Sequence, residues 1–240
     1  LMLVFSDDMI TPLASVLVNR LTGSRTIITR KMQTPPSLTY DQKLKLDDLA
    51  ERLIASEEPV TILIDGHEAE ISEYLIKKLP HAKVVMDGGS LRASNIKLAA
   101  WTDYFVVSEH FARDYMSYRS LSTEADIKAA LIELNKICRG EAFITLGEKG
   151  CAFLKSGMLQ IVPSWLCNAV DTTGAGDVFH GAFTYGVHYS WHIDNIILFA
   201  SLTAAISIEK KGVRESMPDL AVVHHSLNSY ERNLKQYFEE

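Results

Sequence analysis

The sequence predicts an α/β fold, with a mostly parallel central sheet covered by helices on both faces and a small β appendage ahead of it. Three observations carry that reading. Short β-branched runs alternate with helical stretches from Val60 to Leu146, which implies βαβ crossovers. The 240 residues are 47% apolar and 22% charged, an ordinary globular composition with enough chain to bury a sizeable core. No internal repeat, low-complexity segment or linker interrupts residues 1–240, so one α/β domain is expected.

The appendage, residues 13–31, comes first. Residues 14–19 (ASVLVN) and 25–30 (RTIITR) are rich in β-branched side chains and flank the Thr22-Gly23-Ser24 turn, so they read as an antiparallel pair. After the Pro35-Pro36 break, Leu44, Leu46, Leu49, Leu53 and Ile54 recur at helical spacing between charges, which predicts a helix over 40–56. The core, residues 60–220, then alternates. Residues 60–64 read as a buried strand, 68–79 as a helix, 83–86 as a strand and 91–100 as a helix. Residues 104–107 form a strand, followed by helices over 109–116 and 123–138 and a strand over 142–146. Residues 150–162 read as a hairpin turning near Ser156-Gly157. The last third is helical from Ala175 to about Glu209, with a tail helix over 219–238.

Composition excludes several partners. Lysine plus arginine number 24 against 30 acids, a net charge of −6, so nothing electrostatic favours nucleic acid or an anionic membrane. The apolar run 196–200 is far below the ~20 residues a membrane helix needs. The opening residues carry no basic flank and run into Asp7-Asp8, so no signal peptide is expected. Cys138, Cys151 and Cys167 are too widely spaced for a zinc pair. They read as free, partly buried thiols of a reducing compartment, which implies a cytoplasmic protein. His188 and His192 stand four apart with no third ligand, so no metal site is expected there. Trp101, Trp165 and Trp191 are scattered and read as packing residues.

Chemistry concentrates in residues 170–183, VDTTGAGDVFHGAF. Strand-like residues lead into a small-residue turn, and an apolar helix follows. A helix start offers free backbone N–H groups and the positive end of its dipole, which makes it an anion site. Gly174 and Gly176 let backbone amides come close to a phosphate. Asp177 stands where a carboxylate can take a proton from an alcohol attacking that phosphate. Taken as a bare G-x-G turn, the same residues equally describe a glycine turn with Asp177 capping a helix, worth about 0.5–2 kcal/mol. There is no G-x-x-x-x-G-K-[ST], and Gly174, Gly176 and Gly181 lack G-x-G-x-x-G spacing, which argues against a dehydrogenase.

As a whole, DTTGAGDVFHGAF resembles the C-terminal signature of the ribokinase-like sugar kinases, the PfkB family. Ile144-Thr145-Leu146-Gly147-Glu148-Lys149-Gly150 resembles the family's TLG-x-x-G turn, which lies under the nucleotide phosphates. Gly23-Ser24-Arg25-Thr26 resembles the G-x-R-T turn of its lid, and Val106-Val107-Ser108-Glu109 sits where the family has a strand ending in Asn-Glu. The resemblance covers residues 11–220, with ketohexokinase-like and fructokinase-like members nearest in flavour. It implies a ribokinase-like three-layer α/β/α sandwich with a small β lid, and ATP-dependent phosphorylation of a hydroxymethyl group on a sugar. By the same resemblance Asp177 is the general base, and Gly174, Ala175 and Gly176 form the anion hole. Thr145, Gly147, Lys149 and Gly150 would bind ATP, and Ala204-Ala205 to Gly212 would shape the adenine pocket. Asp171 and Thr173 match positions that hold a monovalent cation, K⁺, in many members. Mg²⁺ is implied to enter with the nucleotide phosphates and through water. Arg25 on the lid, Asp65 and His67 after one strand, and Asp87 at the end of the next are weaker substrate candidates. Arg25 reads equally as a solvated turn arginine, and Asp65, His67 and Asp87 read more readily as ordinary loop residues. Lid strands in this family often pair between subunits, so a homodimer is expected.

The departures are also informative. Family members carry, in an N-terminal segment, a sugar-binding Asp and a G-G-x-x-x-N motif, and neither is found here. The chain does not open on methionine, so either its start lies upstream or it lacks that segment. The family's N-x-x-E motif reads Ser108-Glu109-His110-Phe111, with Phe111 in place of the second acid. Two alternatives stand beside the sugar kinase: a nucleoside kinase of the same family, and a truncated, non-catalytic nucleotide- or sugar-binding protein.

Overall fold

The structure, a computed structural model, describes residues 13–18, 25–30 and 37–228. Strands β1 (Leu13–Val18) and β2 (Arg25–Arg30) pair antiparallel, Leu13 opposite Arg30 and Val18 opposite Arg25, in a two-stranded sheet of their own. The expected turn at 22–24 lies outside the described residues. Side chains alternate across a strand, so Leu13 and Leu17 share a face, and the register adds Ile28 opposite Ser15. All three apolar side chains on that face are exposed. Helix α1 (Tyr40–Ala55) follows, opened by a capping box in which Thr39 and Gln42 satisfy each other's backbone N–H groups.

The larger sheet has six strands in chain order: β3 (Thr61–Ile64), β4 (Lys83–Gly88), β5 (Tyr104–Ser108), β6 (Glu141–Thr145), β7 (Cys151–Lys155) and β8 (Met158–Val162). The first four run parallel, and β7 and β8 add an antiparallel hairpin. Its turn sits at Ser156 and Gly157, both with positive φ, as two-residue hairpin loops require. Helices α2 (Ala69–Lys78), α3 (Ala93–Ala99), α4 (Glu109–Tyr115) and α5 (Glu124–Ile137) make the crossovers between the parallel strands. Because strand order follows chain order, right-handed crossovers place all four on one face.

The side chains obey this arrangement with a period of two. Val84, Met86, Phe105, Val107, Ala142 and Ile144 pack with Ile76, Leu98, Phe111, Leu131 and Leu134 of those helices. The intervening Val85, Val106 and Phe143 pack on the opposite face with helices α6 (Ala175–His188) and α7 (Ile193–Ser207). Two helical layers around one sheet give the α/β/α sandwich that the sequence predicts. Trp101 packs against the first core, and Trp165 and Trp191 against the second. Among the described residues, no helix is long and apolar enough to cross a membrane.

Two expectations are corrected. Strand 60–64 is not buried on both faces: β3 ends the strand order among the described residues and Leu63 is 42% exposed. The helical run from 175 to 209 is divided. Ser190 turns to φ +56, and the amides of Ser190 and Trp191 donate back to the carbonyls of Val187 and Gly186, which closes α6 before α7 begins. The tail helix is described over 220–228, and the rest of that expectation lies outside the described residues.

Candidate active site

Helix α6 sets the location of the site. Its C-terminal end lies at the beginnings of the strands. There His188 Nδ1 is 3.4 Å from Thr61 Oγ1, and Lys83 Nζ donates to the Val187 carbonyl at 3.1 Å. Further up, His180 Nε2 lies 3.1 Å from the Val106 carbonyl of β5. The helix therefore runs against the strands and brings its N-terminal turn to their carboxyl ends, the side on which open α/β sheets receive ligands.

That turn is built around Gly174, the residue that caps α6, at φ +76 and ψ 3. This left-handed backbone favours glycine, and an added Cβ would also stand 2.5 Å from Val213 Cγ1. The Ala175 amide donates to the Thr172 carbonyl. The amides of Gly176 and Asp177 belong to the first turn, where a helix supplies no acceptor. Gly176 and Asp177 are exposed, and nothing lies within 4 Å of the Cβ that Gly176 lacks. The space above the turn is open.

Behind the turn, the Asp171 carboxylate accepts from the Thr173 amide at 3.0 Å and from the Gly212 amide at 3.3 Å. The amides of Val170 and Asp171 both donate to the Ile208 carbonyl at the end of α7. Asp171, Thr173, Gly174 and Gly212 are thereby gathered into one knot. Thr145 ends β6, its hydroxyl 3.4 Å from the Val107 carbonyl, and Gly147–Lys149 form a 3₁₀ turn with Lys149 exposed and Gly150 buried. Ala205 is buried within α7, and Ala204 packs against the second core. Asp65 and His67 are exposed after β3, the His67 amide donating to Asp65 Oδ1 at 2.9 Å. Of Arg25 only the strand backbone is described.

The structure also joins residues to which the sequence reading gave no joint role. Asp87, at the end of β4, pairs with buried His180 across 3.3 Å. Burial pushes the Asp87 carboxyl above the usual carboxylate range; His180 opposes the shift, while the carboxylates of Asp177 and Asp65 add to it. Asp87 thus feels the charges of both Asp65 and Asp177. The signal in the sequence was His180 itself, a polar ring inside the apolar run Val178-Phe179-His180-Gly181-Ala182-Phe183.

At the end of β5, Ser108 caps α4 by accepting from the Phe111 amide at 3.0 Å, and its hydroxyl donates to the Gly89 carbonyl at 2.9 Å. Phe111, where the family motif has an acid, is fully buried with its ring edge-on to Phe105. No group of three acids, histidines or cysteines able to hold a metal occurs among the described residues. The described residues therefore offer no direct protein cage for Mg²⁺.

A family model described as pfkB family carbohydrate kinase matches residues 77–220, more than half of the chain. The chain belongs to the PfkB carbohydrate kinase family. This PfkB chain is 29% identical over 189 residues to a ribokinase of Lactococcus lactis subsp. lactis (strain IL1403), covering 79% of this chain and 60% of that protein. It is 31% identical over 131 residues to a deoxyribokinase of Salmonella typhi, covering 55% and 42%. It therefore spans about half the length of these relatives. Among solved structures, a ribokinase from Giardia lamblia superposes with a TM-score of 0.73 at 20% identity, covering 92% of this chain and 72% of the other. An Arabidopsis thaliana ribokinase complexed with ribose and ATP gives 0.68 at 21%, covering 88% and 67%. At such identities these structures establish the ribokinase-like α/β fold of the PfkB chain.

Proposed function

We propose that this PfkB chain transfers the terminal phosphoryl group of ATP to a hydroxymethyl group of a sugar. The observation that carries the reading is Asp177, exposed in the first turn of α6 beside the open space over Gly176. The acceptor oxygen bonds to the γ-phosphorus as the bond from that phosphorus to the ADP oxygen breaks. Asp177 receives the acceptor's proton. In the Gly174-Ala175-Gly176 turn, whose Ala175 amide is held by the Thr172 carbonyl, the Gly176 amide with that of Asp177 meets the charge gathering on the transferred group, in a region already carrying the positive end of the α6 dipole.

In this reading Thr145, Gly147, Lys149, Gly150 and Gly212 bind ATP, with α7 and its Ala205 forming the wall behind the adenine. Mg²⁺ arrives on the nucleotide phosphates. Asp171 and Thr173 are the place for a monovalent cation such as K⁺, and turnover indifferent to K⁺ removes that assignment. The names of the relatives, ribokinase and deoxyribokinase, support a pentose beside the ketose that the sequence suggests. β1 and β2, with Arg25, serve as the lid that excludes water from the reaction. The exposed Leu13, Leu17 and Ile28 suit pairing of that ribbon with a second copy, which a monomer in sedimentation would exclude. Three free thiols suit the cytoplasm, and a disulfide found in protein taken from its own cell would argue against that.

The test is ADP release by the full chain over ribose, deoxyribose, fructose and nucleosides. Release that depends on one sugar, at least about tenfold over the sugar-free rate, supports the reading. Release dependent only on a nucleoside moves the substrate class. A chain that binds ATP and sugar without turnover is the non-catalytic binding protein, and the reading falls.

A further inference from the structure

His180 lies one turn beyond Asp177 and is 3% exposed. Its Nδ1 is 2.7 Å from the Gly176 carbonyl in its own helix and 3.3 Å from Asp87 Oδ2 at the end of β4. Its Nε2 is 3.1 Å from the Val106 carbonyl in β5. The Phe179 ring flanks it on the helix side. Among the described residues, the ring's polar neighbours are therefore two carbonyls and a carboxylate, all acceptors. A neutral imidazole carries one N–H and serves one side of this arrangement; a ring with both N–H groups serves both sides, with Asp87 as its counter-ion.

Asp87 has little water around it and faces the carboxylates of Asp177 and Asp65 as well as His180. Asp87 thus feels the negative charge of both Asp177 and Asp65, and His180 is the group that offsets it. The Gly176 carbonyl it holds belongs to the turn that carries the anion hole.

We infer that His180 is a positioning residue: it clamps the first turn of α6 onto β4 and β5 and offsets the charge of Asp87 beside Asp177. The inference rests on the phosphoryl-transfer reading above. Without the ring, Asp87 stands uncompensated near Asp177 and disfavours a second negative charge there. The loss is then greatest at low pH, where a carboxylate base is most easily protonated.

The test compares the full chain with His180→Gln, Asp87→Asn and the double variant, measuring kcat at about pH 6.5 and pH 8.5, with ATP affinity and thermal unfolding alongside. In His180→Gln, kcat falls about 10–100-fold at the lower pH and about threefold or less at the higher, with ATP affinity kept. Adding Asp87→Asn returns kcat to within about threefold of wild type at both. Asp87→Asn alone leaves the His180 charge unopposed and moves the acid limb the other way, toward lower pH. That reversal of sign keeps the inference testable if His180→Gln does not fold. Equal losses at both pH values without rescue mean a merely structural histidine, and unchanged kcat means no role; either overturns the inference.

A wild type that releases no ADP with any acceptor overturns the phosphoryl-transfer reading instead. The clamp is then judged from ¹⁵N spectra of the His180 ring at about pH 7. Two protonated nitrogens, in wild type and in Asp87→Asn alike, support it. A single tautomer indifferent to Asp87 overturns it.

Discussion

Gly174 and Val213 stand in direct opposition: a Cβ on Gly174 would come 2.5 Å from Val213 Cγ1, on a backbone already at φ +76. Two residues on, Gly176 lies in helical backbone with nothing within 4 Å of the Cβ it lacks. The two glycines of one motif thus differ: the fold requires the first, while the second is free of any packing demand. Gly174→Ala should cost about 2–3 kcal/mol in urea unfolding, from left-handed strain plus the clash. Gly176→Ala should hold or raise stability by up to about 1 kcal/mol. It should nevertheless lower kcat at least about tenfold, because the methyl fills the approach to the anion hole. An unaltered rate in Gly176→Ala would contradict that geometry.

Asp177→Asn keeps the size of the side chain and removes the proposed base. Turnover should fall by about 10²–10⁴ while ATP affinity stays within a few-fold. Stability should drop by no more than about 0.3–1 kcal/mol, the value of a first-turn carboxylate to the helix dipole. Turnover within a few-fold of wild type would sink the general-base assignment.

Phe111 occupies the position of the family's second acid, and its ring is sealed against Phe105 and Tyr115. Restoring the acid as Phe111→Glu should therefore destabilise the chain by at least about 3 kcal/mol rather than build a metal site. The check is the unfolding midpoint with and without Mg²⁺. A well-folded variant that gains Mg²⁺ affinity would show the side chain facing the crevice instead.

The three thiols separate by environment. Burial raises Cys138 from its ordinary 9.0 to about 11 and drives Cys151 higher still, while Cys167 is raised as well, by milder burial and by Glu209. At about pH 8, a thiol reagent should label Cys167 first, half-buried Cys138 more slowly and buried Cys151 only on unfolding. A folded-state value above the unfolded one means that the native protein holds the proton longer. The stability from Cys138 is then complete below pH 9.0 and lost as pH climbs towards about 11. Cys138→Ala should flatten part of that decline in denaturation midpoints across the window.

Much of the frame is legible along the chain, because local periodicity and topology agree. Val84, Met86, Phe105 and Val107 reach one core, while Val85 and Val106 reach the other, and the spacing of helices between strands announces the crossovers. Boundaries that depend on neighbours are less legible. Leu63 reads as buried until β3 is seen at the end of the strand order. The run through Tyr189 and Ser190 reads as helix until Trp191 folds back on Gly186.

The same division runs through the candidate site. The order of residues by itself determined the family, the α/β class and the glycine turn with Asp177, because each is written within a few consecutive positions. Only the tertiary structure decided that Asp87 feels the charges of Asp65 and Asp177, that Phe111 belongs to the core, and that His180 joins β4, β5 and α6. The reason is distance along the chain: Val106 and His180 are 74 residues apart, and their 3.1 Å contact exists only once the sheet has placed α6 across its strands.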